Sequence, residues 1–391
     1  MIKHSDQRHV LVVAGEASGD LHGANLIRAA REVDPGLVFS GVAGKRMAAE
    51  GCEVLIPAEE LAVMGLVEVA LHMPTILRAF RTLKQALYGE RRPDLVILID
   101  YPGFNLRFAR VAKRAGIPVL YYISPKVWAW RSGRAKQLAE RVDHLATIFP
   151  FEDECYADYA LPVSYVGNPL MDGFRVNKTR ETFCAEHGLD AEKPLIGLFP
   201  GSRRSEIRYS FEKIVAAAEL IRAAMPEAQF VMSMADSLDR TVIEGRLKDF
   251  AVPIIAVGEE VYNIASACDA AIAVSGTVTL QIALTGTPMV ITYSAAPLSF
   301  FIGRRLVTLP QVSLANIVAG REVVPERLQA DATPQSLAED ILRILNDDVY
   351  REAMISGLDE VRELMGEPGC SARVAQIASQ LARGRRDTRE N

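Results

Sequence analysis

With 391 residues, 49% of them hydrophobic, the chain has apolar material for two cores and is too long for one comfortable domain. Its net charge of −5, from 44 basic and 49 acidic residues spread along the chain, excludes a basic groove for nucleic acid. Five scattered cysteines with no C-x-x-C pair argue against a disulfide framework or a zinc site and for a reduced compartment. Residues 1–9 are polar and no apolar run reaches the roughly 18 residues of a membrane span, so neither export by a signal peptide nor a spanning helix is expected, although contact with a membrane surface stays open.

Strands are predicted at 10–14, 37–40, 94–99, 119–122 and 144–148, with amphipathic segments such as 21–33 and 105–115 between them. The strands are short and continuously apolar, as in a parallel sheet covered on both faces. A boundary is expected near Gly167-Asn168-Pro169. A second series follows, with strands at 195–199, 229–232, 253–256, 270–274 and 289–293, and helical periodicity dominates from 333 to 382. The expected fold class is α/β, two doubly wound Rossmann-like domains facing a central cleft, with ligands at the strand C-termini. Residues 1–168 form the first domain and 169–365 the second. Residues 366–391 are expected to pack back on the first domain as a helix.

Gly15-Glu-Ala-Ser-Gly-Asp20 follows the first strand and opens a helix. Gly15 and Gly19 let the chain turn tightly towards a ligand, with Glu16, Ser18 and Asp20 beside it. A capped helix with Ser18 or Asp20 as N-cap explains the same residues equally well. The pattern is not G-x-G-x-x-G and no ribose-binding acid follows at the usual distance, which disfavours a nicotinamide cofactor. The apolar segment from Glu60 to Leu77, followed by Arg78, Arg81 and Lys84, reads most simply as a buried helix with a wet end. Its sharper reading is an exposed patch for acyl chains with cations on lipid head groups.

Asp100, in Ile99-Asp-Tyr-Pro-Gly-Phe104, ends a buried strand. It is either a turn aspartate or a general base that takes a proton from a sugar hydroxyl. Tyr121-Tyr-Ile-Ser-Pro-Lys-Val-Trp-Ala-Trp-Arg131 holds both tryptophans of the chain, Trp128 and Trp130. They serve either as a loop anchor or as the wall of an acceptor pocket, with Lys126 or Arg131 on a phosphate.

Leu195-Ile-Gly-Leu-Phe-Pro-Gly-Ser-Arg-Arg-Ser-Glu-Ile207 runs from strand through a small-residue loop into a helix. Free backbone N–H groups and the helix dipole there favour an anion, and Ser202, Arg203 and Arg204 add donors suited to phosphate. A second such junction carries Ser275, Gly276 and Thr277. Together the two suggest a nucleotide diphosphate site. The six histidines form no metal-binding spacing and no Asp-x-Asp ends a strand, so the diphosphate charge falls to helix N-termini and arginines, without a metal or other cofactor.

Gly15-Glu-Ala-Ser-Gly-Asp20, Gly41-Val-Ala-Gly44, Ile99-Asp-Tyr-Pro-Gly-Phe-Asn105, Ser124-Pro-Lys-Val-Trp-Ala-Trp-Arg131, Phe149-Pro-Phe-Glu152, Phe199-Pro-Gly-Ser-Arg203, Ser275-Gly-Thr277 and Asn316-Ile-Val-Ala-Gly-Arg-Glu322 stand in the order in which they occur in lipid-A-disaccharide synthases, and over about residues 10 to 325 the chain resembles that family. The resemblance implies a metal-independent, inverting GT-B glycosyltransferase. Its donor would be UDP-2,3-diacylglucosamine, its acceptor 2,3-diacylglucosamine 1-phosphate, and its products a β-1,6-linked tetraacyl disaccharide 1-phosphate and UDP. It implies a peripheral enzyme at the cytoplasmic face of the inner membrane of a Gram-negative bacterium. A homodimer is expected on the ground of exposed apolar surface.

By the same resemblance Asp100 is the general base on the acceptor 6-hydroxyl and Arg203 acts at the donor diphosphate. Ser275, Gly276 and Thr277 form the second nucleotide-facing turn, and Glu16, Ser18 and Asn316 line the site. Two departures stand out. Asn168 replaces a frequent histidine, and Gln281 replaces a frequent glutamate, so its ribose contact should differ. Rival readings are another UDP-sugar transferase or a UDP-sugar epimerase on the same fold, and a nucleotide-binding module without catalysis.

Overall fold

The computed structural model describes residues 7–61, 73–128, 133–235, 238–295 and 311–390. It divides into two compact units, Met1–Asp172 with Glu367–Asn391, and Gly173–Gly366.

The first unit is built on a seven-stranded sheet of β1 (Arg8–Ala14), β2 (Leu37–Ala43), β3 (Glu53–Pro57), β4 (Leu95–Ile99), β5 (Val119–Tyr122), β6 (His144–Thr147) and β7 (Val163–Tyr165). Every pairing is parallel and the order is β3-β2-β1-β4-β5-β6-β7. Helices α1 (Ala17–Val33), α2 (Lys45–Ala49), α3 (Met73–Ala86), α4 (Pro102–Arg114), α5 (Gly133–Arg141) and α6 (Pro169–Gly173) connect the strands and close the series. The strand residues alternate between two cores. Val10, Val12, Ala14, Ile97 and Ile99 enter one, and Leu11, Val13, Val96 and Leu98 the other. With both faces covered, each strand needs apolar residues at consecutive positions, hence the runs in the sequence.

The second unit carries a six-stranded parallel sheet: β8 (Leu195–Phe199), β9 (Gln229–Ser233), β10 (Ile255–Val257), β11 (Ala270–Val274), β12 (Met289–Tyr293) and β13 (Glu326–Leu328), in the order β10-β9-β8-β11-β12-β13. Its helices are α7 (Arg180–Glu186), α8 (Arg204–Ala224), α9 (Arg240–Leu247), α10 (Val261–Ala267), α11 (Thr277–Leu284), α12 (Leu314–Ala319), α13 (Pro334–Asn346) and α14 (Asp348–Leu364).

Beyond the second unit, α15 (Cys370–Glu390) packs against α1. Its buried Cys370, Val374, Ala375, Ala378 and Ala382 share a core with Val10, Leu26 and Ile97. Asp172 fixes the helix start, accepting from the backbone N–H groups of Gly369 (2.6 Å), Cys370 (3.0 Å) and Ser371 (2.8 Å). Further along, Ser379 and Arg383 bind Asp34, which also pairs with Arg8.

Candidate active site

In each sheet the chain winds outward in both directions from a central pair, β1 and β4 in the first unit, β8 and β11 in the second. Connections leave such a pair towards opposite sides, so the loops at its C-terminal ends part and make room for a ligand. The four loops at these two points are residues 15–16, 100–101, 200–203 and 275–276.

Asp100 directly follows β4. It and Tyr101 both have positive φ, 45° and 44°. Side chains with a Cβ resist that region, at a cost of about 1–3 kcal/mol per residue, and persist in it only where the surroundings hold them. Here the Asp100 N–H donates to the Tyr122 carbonyl (3.0 Å). The Asp100 carbonyl accepts from Tyr121 Oη (2.6 Å) and Asn105 Nδ2 (2.8 Å), and Tyr101 Oη donates to the Leu61 carbonyl (2.8 Å). Gly15 makes room for Tyr101: a Cβ at residue 15 would lie 2.6 Å from the ring. Burial pushes the Asp100 carboxyl up to about 6, helped by the charge of Glu16, while Lys126, the backbone N–H of Tyr101 and Arg134 act against it. A carboxylate with an affinity for protons close to neutrality can draw one from an attacking hydroxyl.

The 15–20 segment divides. Glu16 is the N-cap of α1, in extended conformation without a side-chain cap bond, and its charge acts on both Asp100 and Tyr101. Ser18 is exposed, and Gly19 sits against Ala14 and Ile99. Asp20 departs from the expected ligand contact. It is 6% exposed, and its oxygens accept from the N–H groups of Gly44 (2.8 Å), Met47 (3.1 Å) and Arg46 (3.0 Å). A buried carboxylate spent on three backbone donors fastens the start of α2 and leaves little for substrate. The cap of α1 is therefore Glu16, neither Ser18 nor Asp20.

Trp128 is half-buried, with its indole Nε1 donating to Glu152 Oε1 (3.2 Å). Arg131 and Trp130, with most of the apolar segment after Glu60, lie outside the described residues.

In the second unit, Gly201 has φ +98°, and Arg203 is the N-cap of α8. The backbone donors expected to be open to an anion are engaged here: Glu206 Oε2 accepts from the N–H groups of Ser202 (2.9 Å) and Arg203 (3.1 Å). Glu206, three residues past the N-cap Arg203, folds its carboxylate back onto the start of its own helix. Arg203 itself is 60% exposed and only 3.5 Å from Glu206, a contact of little energetic weight. The Arg204 side chain is not among those described.

The helix start after β11 is different. Gly276 caps α11 without a side-chain bond, Thr277 is exposed, and no acidic residue occupies the first turn. Ser275 supports this turn, its N–H on the Thr292 carbonyl (3.0 Å) and its Oγ on the Val312 carbonyl (3.1 Å). Gln281 is half-buried and hydrogen-bonded to Tyr262.

Asn316 also departs from the expected lining role. Fully buried, it donates through Nδ2 to the Val324 carbonyl (2.9 Å) and Glu326 (2.8 Å). Its Oδ1 accepts from the N–H groups of Val323 (2.8 Å) and Val324 (3.0 Å). Those four bonds exhaust the amide. Asn168, 2% exposed, accepts from the Leu170 N–H (3.0 Å) at the start of α6.

One group among the described residues approaches a metal-binding arrangement, Glu186, His187 and Glu259. Lys178 Nζ lies 2.5 Å from Glu186 and 2.9 Å from Glu259, so its charge already answers both carboxylates.

The model of the lipid-A-disaccharide synthetase family matches residues 10–380. The chain belongs to the lipid-A-disaccharide synthase family. Lipid-A-disaccharide synthase of Syntrophotalea carbinolica is 54% identical to it over 96% of each chain. That of Geobacter metallireducens is 47% identical over 96% of this chain and 97% of its own. That of Coxiella burnetii is 41% identical over 96% and 98%. The fold is likewise shared with UDP-GlcNAc 2-epimerase from Neisseria meningitidis (TM-score 0.66, 13% identity, 95% and 100% covered). The calicheamicin glycosyltransferase CalG4 also shares it (TM-score 0.59, 17% identity, 96% and 98% covered). The chain is thus a GT-B glycosyltransferase of lipid A biosynthesis, an enzyme that transfers a sugar from a sugar-nucleotide donor to a phosphorylated glucosamine acceptor and releases the nucleotide.

Sequence reasoning passed over Tyr121, Asn105 and Arg134 around Asp100, and Glu152 beneath Trp128. Glu152 stands three residues after the N-cap Phe149, with Pro at the first position of the turn, and its carboxylate returns to the Phe149 N–H.

Proposed function

We propose that the chain transfers 2,3-diacylglucosamine from UDP to the 6-hydroxyl of 2,3-diacylglucosamine 1-phosphate, with inversion at the anomeric carbon. The observation that carries this reading is the Asp100 carboxyl, held on a strained turn at the end of β4 and raised to about 6 by burial. As the bond forms, Asp100 takes the hydroxyl proton. The acceptor oxygen attacks the anomeric carbon from the face opposite UDP, and the bond to the diphosphate oxygen breaks, releasing UDP. Arg203 and the start of α11, whose first turn carries no acidic side chain, offset the charge on the leaving group. Gly15, Glu16, Ser18, Gly19 and Trp128 border the acceptor; Ser202, Arg204, Ser275, Gly276, Thr277 and Gln281 border the donor.

The enzyme acts as a peripheral protein at the cytoplasmic face of the inner membrane, as a homodimer. No helix among the described residues is long and apolar enough to cross a membrane. Exposed Met73 and Leu77 on α3, with Arg78, Arg81 and Lys84 on the same helix, support contact of acyl chains and head groups with this region.

The test is turnover of purified protein with both diacyl substrates and a chelator. Disaccharide 1-phosphate and UDP in equal amounts are expected. UDP release without acceptor would overturn the reading in favour of an epimerase, and turnover indifferent to acyl chains would favour a soluble-sugar transferase.

A further inference from the structure

Glu152 is a carboxylate that the reaction above does not use. It lies in the 3₁₀ turn Pro150–Tyr156 after β6 and is 1% exposed. Its Oε2 accepts from the N–H groups of Ile148 (2.9 Å) and Phe149 (3.1 Å), which would suffice for a local cap. Its Oε1 faces elsewhere and takes the indole N–H of Trp128, in the loop after β5 (3.2 Å).

The rest of the turn holds the same loop. The Trp128 ring stands edge-on to Phe151 at 5.4 Å, and Phe151 stacks on Phe149 at 5.5 Å. At the other end of the loop, the hydroxyls of Ser124 and Tyr156 are 2.6 Å apart. Residues 124–128 are thus clasped at both ends by residues 149–156. The loop adjoins the base: β5 pairs with β4, the Asp100 N–H bonds the Tyr122 carbonyl, and the charge of Lys126 acts on the Asp100 carboxyl.

We propose that Glu152 is a positioning residue for the acceptor, fixing the Trp128 indole and through it the loop that borders Asp100. This rests on the assignment of Asp100 and Trp128 to the acceptor given above. The role requires the ionised form, because a proton on Oε1 makes that oxygen a donor and a poor acceptor for the indole N–H, while Oε2 keeps both backbone bonds. Burial pushes Glu152 up to about 7, opposed by its backbone and indole bonds and assisted by Asp153. Its charge also acts on Cys155, Tyr156 and Tyr165, and burial raises each of them, which keeps them neutral. The clasp is therefore complete above neutrality and weakens as pH falls through about 7.

Three full-length variants test this: Glu152→Gln, Trp128→Phe and the double variant. Trp128→Phe leaves both backbone bonds of Glu152 in place and removes only the indole tie. Each single variant is expected to lose about tenfold in kcat/KM for the acceptor, with donor KM unchanged, and the double variant is expected to be no worse than either. In a Trp130→Phe background, indole fluorescence should titrate near pH 7 and cease to do so with Glu152→Gln. Native acceptor kcat/KM in Trp128→Phe, or additive losses in the double variant, would overturn the proposal. If Glu152→Gln fails to fold, Trp128→Phe decides. If the native enzyme turns over none of these substrates, the assigned reaction falls, and the fluorescence titration, which needs no substrate, decides the role of Glu152.

Discussion

The hydroxyl of Tyr121 donates to the main-chain carbonyl of Asp100 across 2.6 Å. Tyr121 is fully buried on β5, and its bond reaches the neighbouring strand at the residue where the backbone turns left-handed. A core side chain thereby holds the backbone of Asp100, the proposed base, without a hydrogen bond to its carboxylate. Tyr121→Phe removes this bond and keeps the packing. A loss of about 1 kcal/mol in stability is expected, read by denaturant midpoint. A several-fold fall in kcat with acceptor KM unchanged should accompany it.

The proposed role of Asp100 as base requires its ionised form. With its carboxyl raised to about 6, kcat/KM should fall below pH 6 as the base becomes protonated, and the base should not limit the rate at pH 8. Asp100→Asn should cost about 10²–10⁴-fold in kcat and abolish the acid limb governed by this group. An unchanged acid limb in that variant would remove Asp100 from the mechanism.

Arg203 is 60% exposed and lightly held by Glu206, so it contributes little to the fold. Arg203→Ala should leave the melting temperature in place. A charge-assisted bond of about 1.5–3 kcal/mol lost from the diphosphate would weaken UDP binding roughly 10- to 100-fold. Titration calorimetry with UDP checks this without any turnover.

Asn316 should behave in the opposite way. Its amide closes four buried hydrogen bonds around residues 323–326, so Asn316→Ala leaves several buried groups without partners. A loss of about 3 kcal/mol or more in unfolding free energy is expected. Any fall in activity should follow the folded fraction.

The contrast between Arg203 and Asn316 marks where the sequence is readable. Central strands are plain: the stretches predicted at 195–199, 270–274 and 289–293 coincide with β8, β11 and β12. Burial on both faces forces unbroken apolar runs there. The strands that escaped notice, β3, β7 and β13, each stand at a sheet edge. Edge strands are short and mixed in polarity, as in Glu326-Arg-Leu328, so no run announces them. The two switch-point turns of the second unit were legible from their small residues. Whether a polar side chain faces solvent or a distant backbone was not. Asp20 spends its oxygens on N–H groups of residues 44–47, and Glu206 fills a turn that reads as open for phosphate. Neither bond leaves a periodicity or a composition signal.

The C-terminal helix supplies part of the first unit's core after the whole second unit has been encoded. Order of synthesis and order of completion therefore differ. Residues 173–366 emerge as one uninterrupted unit, whereas the sheet that carries Asp100 waits for Val374, Ala378 and Ala382 before that face is sealed. Until then the buried carboxylate of Asp34 lacks Ser379 and Arg383, and apolar side chains of α1 stay wet. A nascent chain at that stage holds a finished second unit while the first still leaves apolar surface open to solvent.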